Sequence, residues 1–201
     1  MPSWGFWKWD FWISFLIGSI VFFLTQLVFS FIGLIQIESN PDFSMLSLAL
    51  VALIGFVGIF FQAGAEELLF RGYLTQFARR FTGNRFLFIG IPAIIFASPH
   101  ILNIFELDGG ILLILPFLIL GLVLGWAAYR SGTLWMSLGL HLSNNYLSVV
   151  LMGTKGDVLP SAAPMLIDLP SLWVIVAVAA IQAVLLVAIL EFLMRRRESR
   201  S

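Results

Sequence analysis

FSMLSLALVALIGFVGIFFQAGA, residues Phe43–Ala65, carries no charge and then runs directly into Glu66-Glu67. About 20 mostly apolar residues suffice to cross a bilayer as a helix. The stretch therefore reads as a membrane span that ends in two adjacent carboxylates. Five further stretches qualify: Phe11–Ile37, Phe86–Phe105, Ile111–Tyr129, Thr133–Met152 and Leu172–Leu190. Two of these hold a single histidine and the others carry no charged group. The expectation is an all-α integral membrane protein, a bundle of about six transmembrane helices with a polar cavity inside it. Residues 1–201 read as one domain, without repeats or low-complexity tracts.

Composition agrees with that reading. Apolar residues make up 60% and charged residues 11%, against about 45–50% and about 25% in soluble domains. So few charges cannot cover a water-facing surface. A cytoplasmic enzyme, a disordered tail and a nucleic-acid binder are excluded, the last because it needs a basic face. The formal net charge is zero and cysteine is absent, so no thiolate or Cys-based metal site exists. The first span is too long for a cleaved signal peptide.

The charges order the spans. With the N-terminus inside, Lys8, Arg71, Arg79, Arg80, Arg85, Arg130, Arg195, Arg196, Arg197 and Arg200 fall on the cytoplasmic side, leaving Lys155 as the only outer cation. Glu38, Asp42, Glu106, Asp108, Asp157 and Asp168 lie outside. The positive-inside rule then places both termini in the cytoplasm. The compact length and basic tail suit a multi-pass prokaryotic plasma membrane protein. The outer loop Gly153–Pro170 reads as a solvated connection. Phe43 to Arg80 as one helix would be about 57 Å long against a hydrocarbon core of about 30 Å. That segment must tilt, break at Gly64 or Gly72, or leave the bilayer.

Ionisable groups inside a bilayer are costly and mark functional sites. Three clusters hold them. In Glu66-Glu67-Leu68-Leu69-Phe70-Arg71, Glu67 and Arg71 are four apart and can pair on one helix face, while Glu66 lies about 100° round and stays available. The second cluster is Phe96-Ala97-Ser98-Pro99-His100, and the third is His141-Leu142-Ser143-Asn144-Asn145. His100 and Asn145 each lie about 22 Å along a helix from a cytoplasmic arginine, Arg85 and Arg130 respectively, so the clusters share a depth. Each has a plainer reading: a helix end at the interface, a hydrogen-bonded intramembrane histidine, an asparagine gluing helices, a packing phenylalanine, prolines as kinks. Together they hold both histidines and the only Glu-Glu pair.

In these residues the chain resembles the CPBP family, also called the Abi or CAAX-protease family of intramembrane endopeptidases. Its motifs E-E-x-x-x-R, F-x-x-x-H and H-x-x-x-N correspond to Glu66-Glu67-x-x-x-Arg71, Phe96-x-x-x-His100 and His141-x-x-x-Asn145. The resemblance covers Gln62 to Tyr146, and the outer spans match only in kind. Pro99 beside His100 is an unusual filler. The family includes type II CAAX prenyl endopeptidases, and bacterial members linked to bacteriocin immunity. The resemblance implies endopeptidase chemistry on a membrane-associated, in some members prenylated, peptide or protein, with the lipid bilayer as the other partner.

Peptide hydrolysis requires an activated water, a stabilised oxyanion and a protonated leaving amine. Glu66 is the candidate base, with His100 holding the same water. His141 and Asn145 are candidate oxyanion donors. Glu67 is assigned to the Arg71 pair, although the glutamates can exchange roles, and Arg71 and Phe96 are support. No cofactor is required on this reading. The alternative uses Glu66, His100 and His141 as three zinc ligands with water in the fourth position, the basis on which the family was described as metalloproteases. Two other classes remain at this point. One is a non-enzymatic immunity or scaffold protein. The other is a proton-coupled transporter, which the lack of repeated halves disfavours.

Overall fold

The structure, a computed structural model, describes residues 9–103, 110–155, 161–168 and 170–199. Lys8, Glu106, Asp108, Asp157 and Arg200 lie outside the described residues. Six helical rods are present among the described residues. They are α1 (Trp9–Phe31), α2 (Met45–Glu67) running on into α3 (Thr75–Arg79), α4 (Arg85–Ala97), α5 (Ile114–Ser131), α6 (Trp135–Val150) and α7 (Leu172–Glu198). Four are long and apolar enough to cross a membrane: Trp9–Phe31, Met45–Arg79, Ile114–Ser131 and Leu172–Glu198. Arg85–His100 is a shorter apolar helix.

The long second rod breaks neither at Gly64 nor at Gly72. Leu68–Leu74 widens into a π-helix between α2 and α3. Thr75 closes the wide turn, since its backbone N–H and its Oγ1 both reach the Phe70 carbonyl, the latter at 2.9 Å. A π-turn shifts every later residue round the axis relative to an α-helix, and such turns gather at functional sites.

Helix ends follow local chemistry. α1 ends at Phe31, short of the expected Ile37. Gly33 adopts φ +76°, a left-handed turn that glycine enters without steric penalty. Its N–H and that of Leu34 return to Ser30 O and Phe29 O at 2.9 Å. α4 ends where Pro99 removes a backbone donor. The Ser98 hydroxyl takes the orphaned Ile95 carbonyl at 2.9 Å, and the chain tightens into a 3₁₀ turn over Ser98–Asn103. The expected span to Phe105 is therefore α-helical only to Ala97.

The central element is α6, whose residues Met136–Ser143 are all buried. α1 lies parallel to it through reciprocal small residues. A side chain at Gly139 would strike the Ser14 hydroxyl and the Phe11 carbonyl, and one at Gly18 would strike the Ser143 hydroxyl. Small residues four apart on both helices allow this approach, which is how helices associate where lipid removes the hydrophobic drive. Antiparallel α4 and α5 meet similarly at Gly121, against Ala93 and Phe96, and at Gly125, against Ile89.

Three short strands, unread in the sequence, close one end of the bundle. β1 (Ile37–Ser39), β2 (Met152–Thr154) and β3 (Met165–Ile167) form a sheet in the order β1-β3-β2. β1 is antiparallel to β3 and β2 parallel to it. Part of the loop Gly153–Pro170 is thus paired backbone rather than solvated connection. Lys155 binds Glu38 at 3.0 Å and Asp168 at 3.5 Å across the sheet. The hydrogen bond to Glu38 holds its ammonium charged above the ordinary lysine range. At the opposite end Arg130 pairs with Glu191 and Glu198, and Arg197 with Asp10, which ties α1, α5 and α7 together where the arginines cluster.

Candidate active site

The sequence clusters meet on three helices. At the end of α2, Glu67 is 1% exposed, and Arg71 in the π-turn is 3% exposed. Arg71 Nη1 donates to Glu67 Oε1 at 2.9 Å, and Nη2 donates to the Gly121 carbonyl at 3.2 Å. Its guanidinium lies 4.4 Å over the Phe96 ring. A buried charge is tolerated only when paired and hydrogen-bonded, and Arg71 is both. Phe96 therefore does more than fill space: its ring faces a cation.

The chain of contacts continues into α6. His141 Nδ1 lies 2.9 Å from the same Glu67 Oε1. A carboxylate only accepts, so Nδ1 carries the hydrogen and Nε2 is the free ring nitrogen. Nε2 faces Glu66 Oε2 at 3.6 Å. Glu66, whose side chain is 26% exposed, is held through Oε1 by Gln62 Nε2 at 2.6 Å. The adjacent glutamates thus occupy different surroundings. Glu67 is locked between Arg71 and His141, whereas Glu66 keeps an oxygen beside a histidine nitrogen and is only partly buried.

His100 sits on the third helix. Its Nδ1 meets the Phe96 carbonyl at 3.2 Å, a group that the 3₁₀ turn leaves without its α-helical partner. The carbonyl accepts, so Nε2 of His100 is also the open nitrogen. The ring stacks on Phe117 at 4.0 Å. His100, His141 and Asn145 line one cavity of about 220 Å³. Glu66 is not in that cavity's wall and meets it only through His141 among the described residues. His100 forms no ion pair with either glutamate among the described residues. Asn144 donates to Asn145 Oδ1 at 3.3 Å, which leaves the Asn145 amide N–H groups to the cavity.

For the zinc alternative, no group of three His, Asp or Glu side chains among the described residues is placed to hold one ion. The Nδ1 atoms of both histidines are committed to Glu67 and Phe96, which leaves Nε2 of each as the nitrogen that could face an ion.

Four contributors escaped the sequence reading. Gln62 is one helical turn before Glu66, a spacing that could have revealed it. Gln26 and Gln182 line the cavity and stand out as polar residues inside apolar spans. Phe117 gave no signal.

Residues 48–147 match the family model described as "Rce1-like: Type II CAAX prenyl endopeptidase Rce1-like". The matched segment holds all three clusters. The chain is also 31% identical over 97 residues to a Bacillus subtilis (strain 168) protein, "Uncharacterized protein YyaK", across 48% of this chain and 32% of that protein. The chain thus matches about a third of that relative's length. No solved structure matches.

Proposed function

Because the chain belongs to the Rce1-like family of type II CAAX prenyl endopeptidases, we propose that it hydrolyses a peptide bond in a membrane-associated peptide or protein, prenylated or not, through a glutamate-activated water. The single observation that carries the reading is the buried relay Arg71–Glu67–His141, which ends 3.6 Å from a second, partly exposed carboxylate. A purely structural ion pair needs no such second carboxylate facing the free histidine nitrogen.

The 3.6 Å separation of Glu66 Oε2 and His141 Nε2 would let one water hydrogen-bond both at about 2.8 Å. Glu66 takes one proton from it as the oxygen bonds to the scissile carbonyl carbon. Negative charge then develops on the carbonyl oxygen, where Asn145 N–H donors from the cavity wall stabilise it. His100 Nε2, an acceptor on the same wall, orients water or substrate N–H. The tetrahedral adduct collapses as Glu66 returns its proton to the leaving nitrogen. The carbon–nitrogen bond breaks, leaving a carboxyl and an amine, and Glu66 is ionised again. Glu67 fixes the ring and tautomer of His141, and Arg71 holds Glu67 in place by pairing. The site lies in a multi-pass protein of a prokaryotic plasma membrane, with both termini in the cytoplasm, as the one-sided arginines support.

The test is cleavage of prenylated model peptides by the purified protein in proteoliposomes, with product masses read by mass spectrometry. Two products whose masses sum to the substrate plus one water support the reading. Intact peptides across a panel of prenylated and unprenylated sequences would favour a non-enzymatic immunity or scaffold role.

A further inference from the structure

The cavity extends well beyond the histidines, and its far part holds a second polar group that the proposed chemistry does not use. Gln182 Nε2 on α7 donates to Thr25 Oγ1 on α1 at 2.7 Å. Thr25 can accept because its own hydroxyl hydrogen goes to the Val21 or Phe22 carbonyl, both at 2.8 Å. Beside this pair, Gln26 lines the cavity, and its Oε1 is buried with no hydrogen-bond partner among the described residues. A buried acceptor left unpaired is destabilising, and native structures retain one chiefly where something else supplies the donor. Past the polar stretch Ser143, Asn144 and Asn145, the wall includes the apolar Val21, Phe22, Leu120 and Val178. Among the described residues, no Asp, Glu, Lys or Arg lines the cavity.

The helix geometry sets the distance. α1 and α6 run parallel, with Gly18 level with Ser143. Gln26 is then about 12 Å further along α1, and Asn145 about 3 Å further along α6. The axial gap from Asn145 to Gln26 is about 9 Å, and from His141 about 15 Å. An extended peptide advances about 3.3 Å per residue, so this spans roughly three to four residues.

Resting on the endopeptidase reading, we infer that the far half of the cavity is a peptide subsite. Gln26 Oε1 accepts a backbone N–H of the substrate three to four residues from the scissile bond. The side chains seated between are uncharged, because the wall offers a charge no partner. Gln182, held by Thr25, is a second neutral amide lining the cavity from the facing helix. Neutral amides suit this role because they recognise a peptide group without burying a charge.

The experiment is an N-methyl scan of a cleaved model peptide, one backbone amide at a time on both sides of the scissile bond. In the unaltered protein, N-methylation at one position three to four residues away lowers kcat/KM about 3–10-fold, as for loss of one hydrogen bond. In Gln26→Met that position loses its penalty, and kcat/KM for the unmodified peptide falls by the same factor. Gln26→Met also melts at the same or a higher temperature, because an orphan polar atom has been removed from an apolar wall. The same scan read as peptide binding to the Glu66→Gln protein needs no cleavage. If the unaltered protein cleaves nothing while Gln26-dependent binding persists, the endopeptidase reading falls and the subsite stands. If neither cleavage nor binding shows an N-methyl penalty that disappears in Gln26→Met, the subsite is refuted. A lower melting temperature with equal penalties at all positions makes Gln26 a packing residue and overturns the inference.

Discussion

Replacing Arg71 by methionine isolates the energetics of the buried relay. Both side chains of the Arg71–Glu67 pair are 2% exposed. The substitution removes the 2.9 Å contact to Glu67, the 3.2 Å hydrogen bond to Gly121 O and the cation over Phe96. What remains is a buried carboxylate still bonded to His141 but stripped of its arginine. Stripping one member from a buried ion pair typically costs about 3–5 kcal/mol. The cation–π contact adds about 0.5–2 kcal/mol, and methionine packing on Phe96 returns part of that. Arg71→Met should therefore destabilise by about 3–5 kcal/mol, measured as reversible unfolding in bicelles. The double variant Glu67→Gln/Arg71→Met removes the stranded charge as well and should recover at least half of the loss, a strong coupling expected of groups in contact. A single-variant loss under about 1 kcal/mol, well short of the cost of a stranded buried charge, would show that the pair is not the buried, mutually dependent unit described. So would a double variant no better than Arg71→Met.

Other outcomes follow from separate parts of the molecule. Gly139→Ala should cost about 1–3 kcal/mol by forcing α1 away from α6. Gly58→Ala, where nothing lies within 4 Å of the added carbon, should be neutral or stabilise by up to about 1 kcal/mol; equal effects at both positions would contradict the close α1–α6 approach. Chelation should leave cleavage largely intact, and elemental analysis should find well under one zinc per chain. Stoichiometric zinc, lost together with activity in His141→Asn, would reinstate the zinc alternative. Asn145→Ala should lower turnover about 10²–10³-fold, the size expected for one oxyanion donor, with binding of the uncleaved peptide unchanged. A loss confined to KM would move Asn145 from chemistry to binding.

The helices were legible because uninterrupted apolar runs admit one membrane solution. Their ends were less so. Gly33 ends α1 by turning left-handed, yet Gly55, Gly58 and Gly64 lie inside α2, and hydropathy does not distinguish these glycines. α7 runs past its apolar stretch to Glu198, since Arg195 and Glu191 are one turn apart and pair. The three strands were invisible: each is a single short run, and their partners lie over a hundred positions away or across a loop. The i, i+4 spacing of Glu67 and Arg71 predicted their pairing, and the structure shows it. Spacing could not predict that His141 bonds to Glu67 rather than Glu66, because that depends on how α6 faces the π-turn. Nor could it show the commitment of His100 Nδ1 to Phe96, a consequence of Pro99 tightening the helix.

The division of labour between the two glutamates is tested most directly by comparing Glu66→Gln with Glu67→Gln in proteoliposomes, with a prenylated peptide as substrate and thermal unfolding as the check on folding. Glu66→Gln is nearly isosteric but cannot take a proton from water. It should show no product above background while melting as the unaltered protein does. Glu67→Gln, which leaves Arg71 buried without its carboxylate, should melt lower. Full cleavage by Glu66→Gln would contradict the account and transfer the role of base to Glu67.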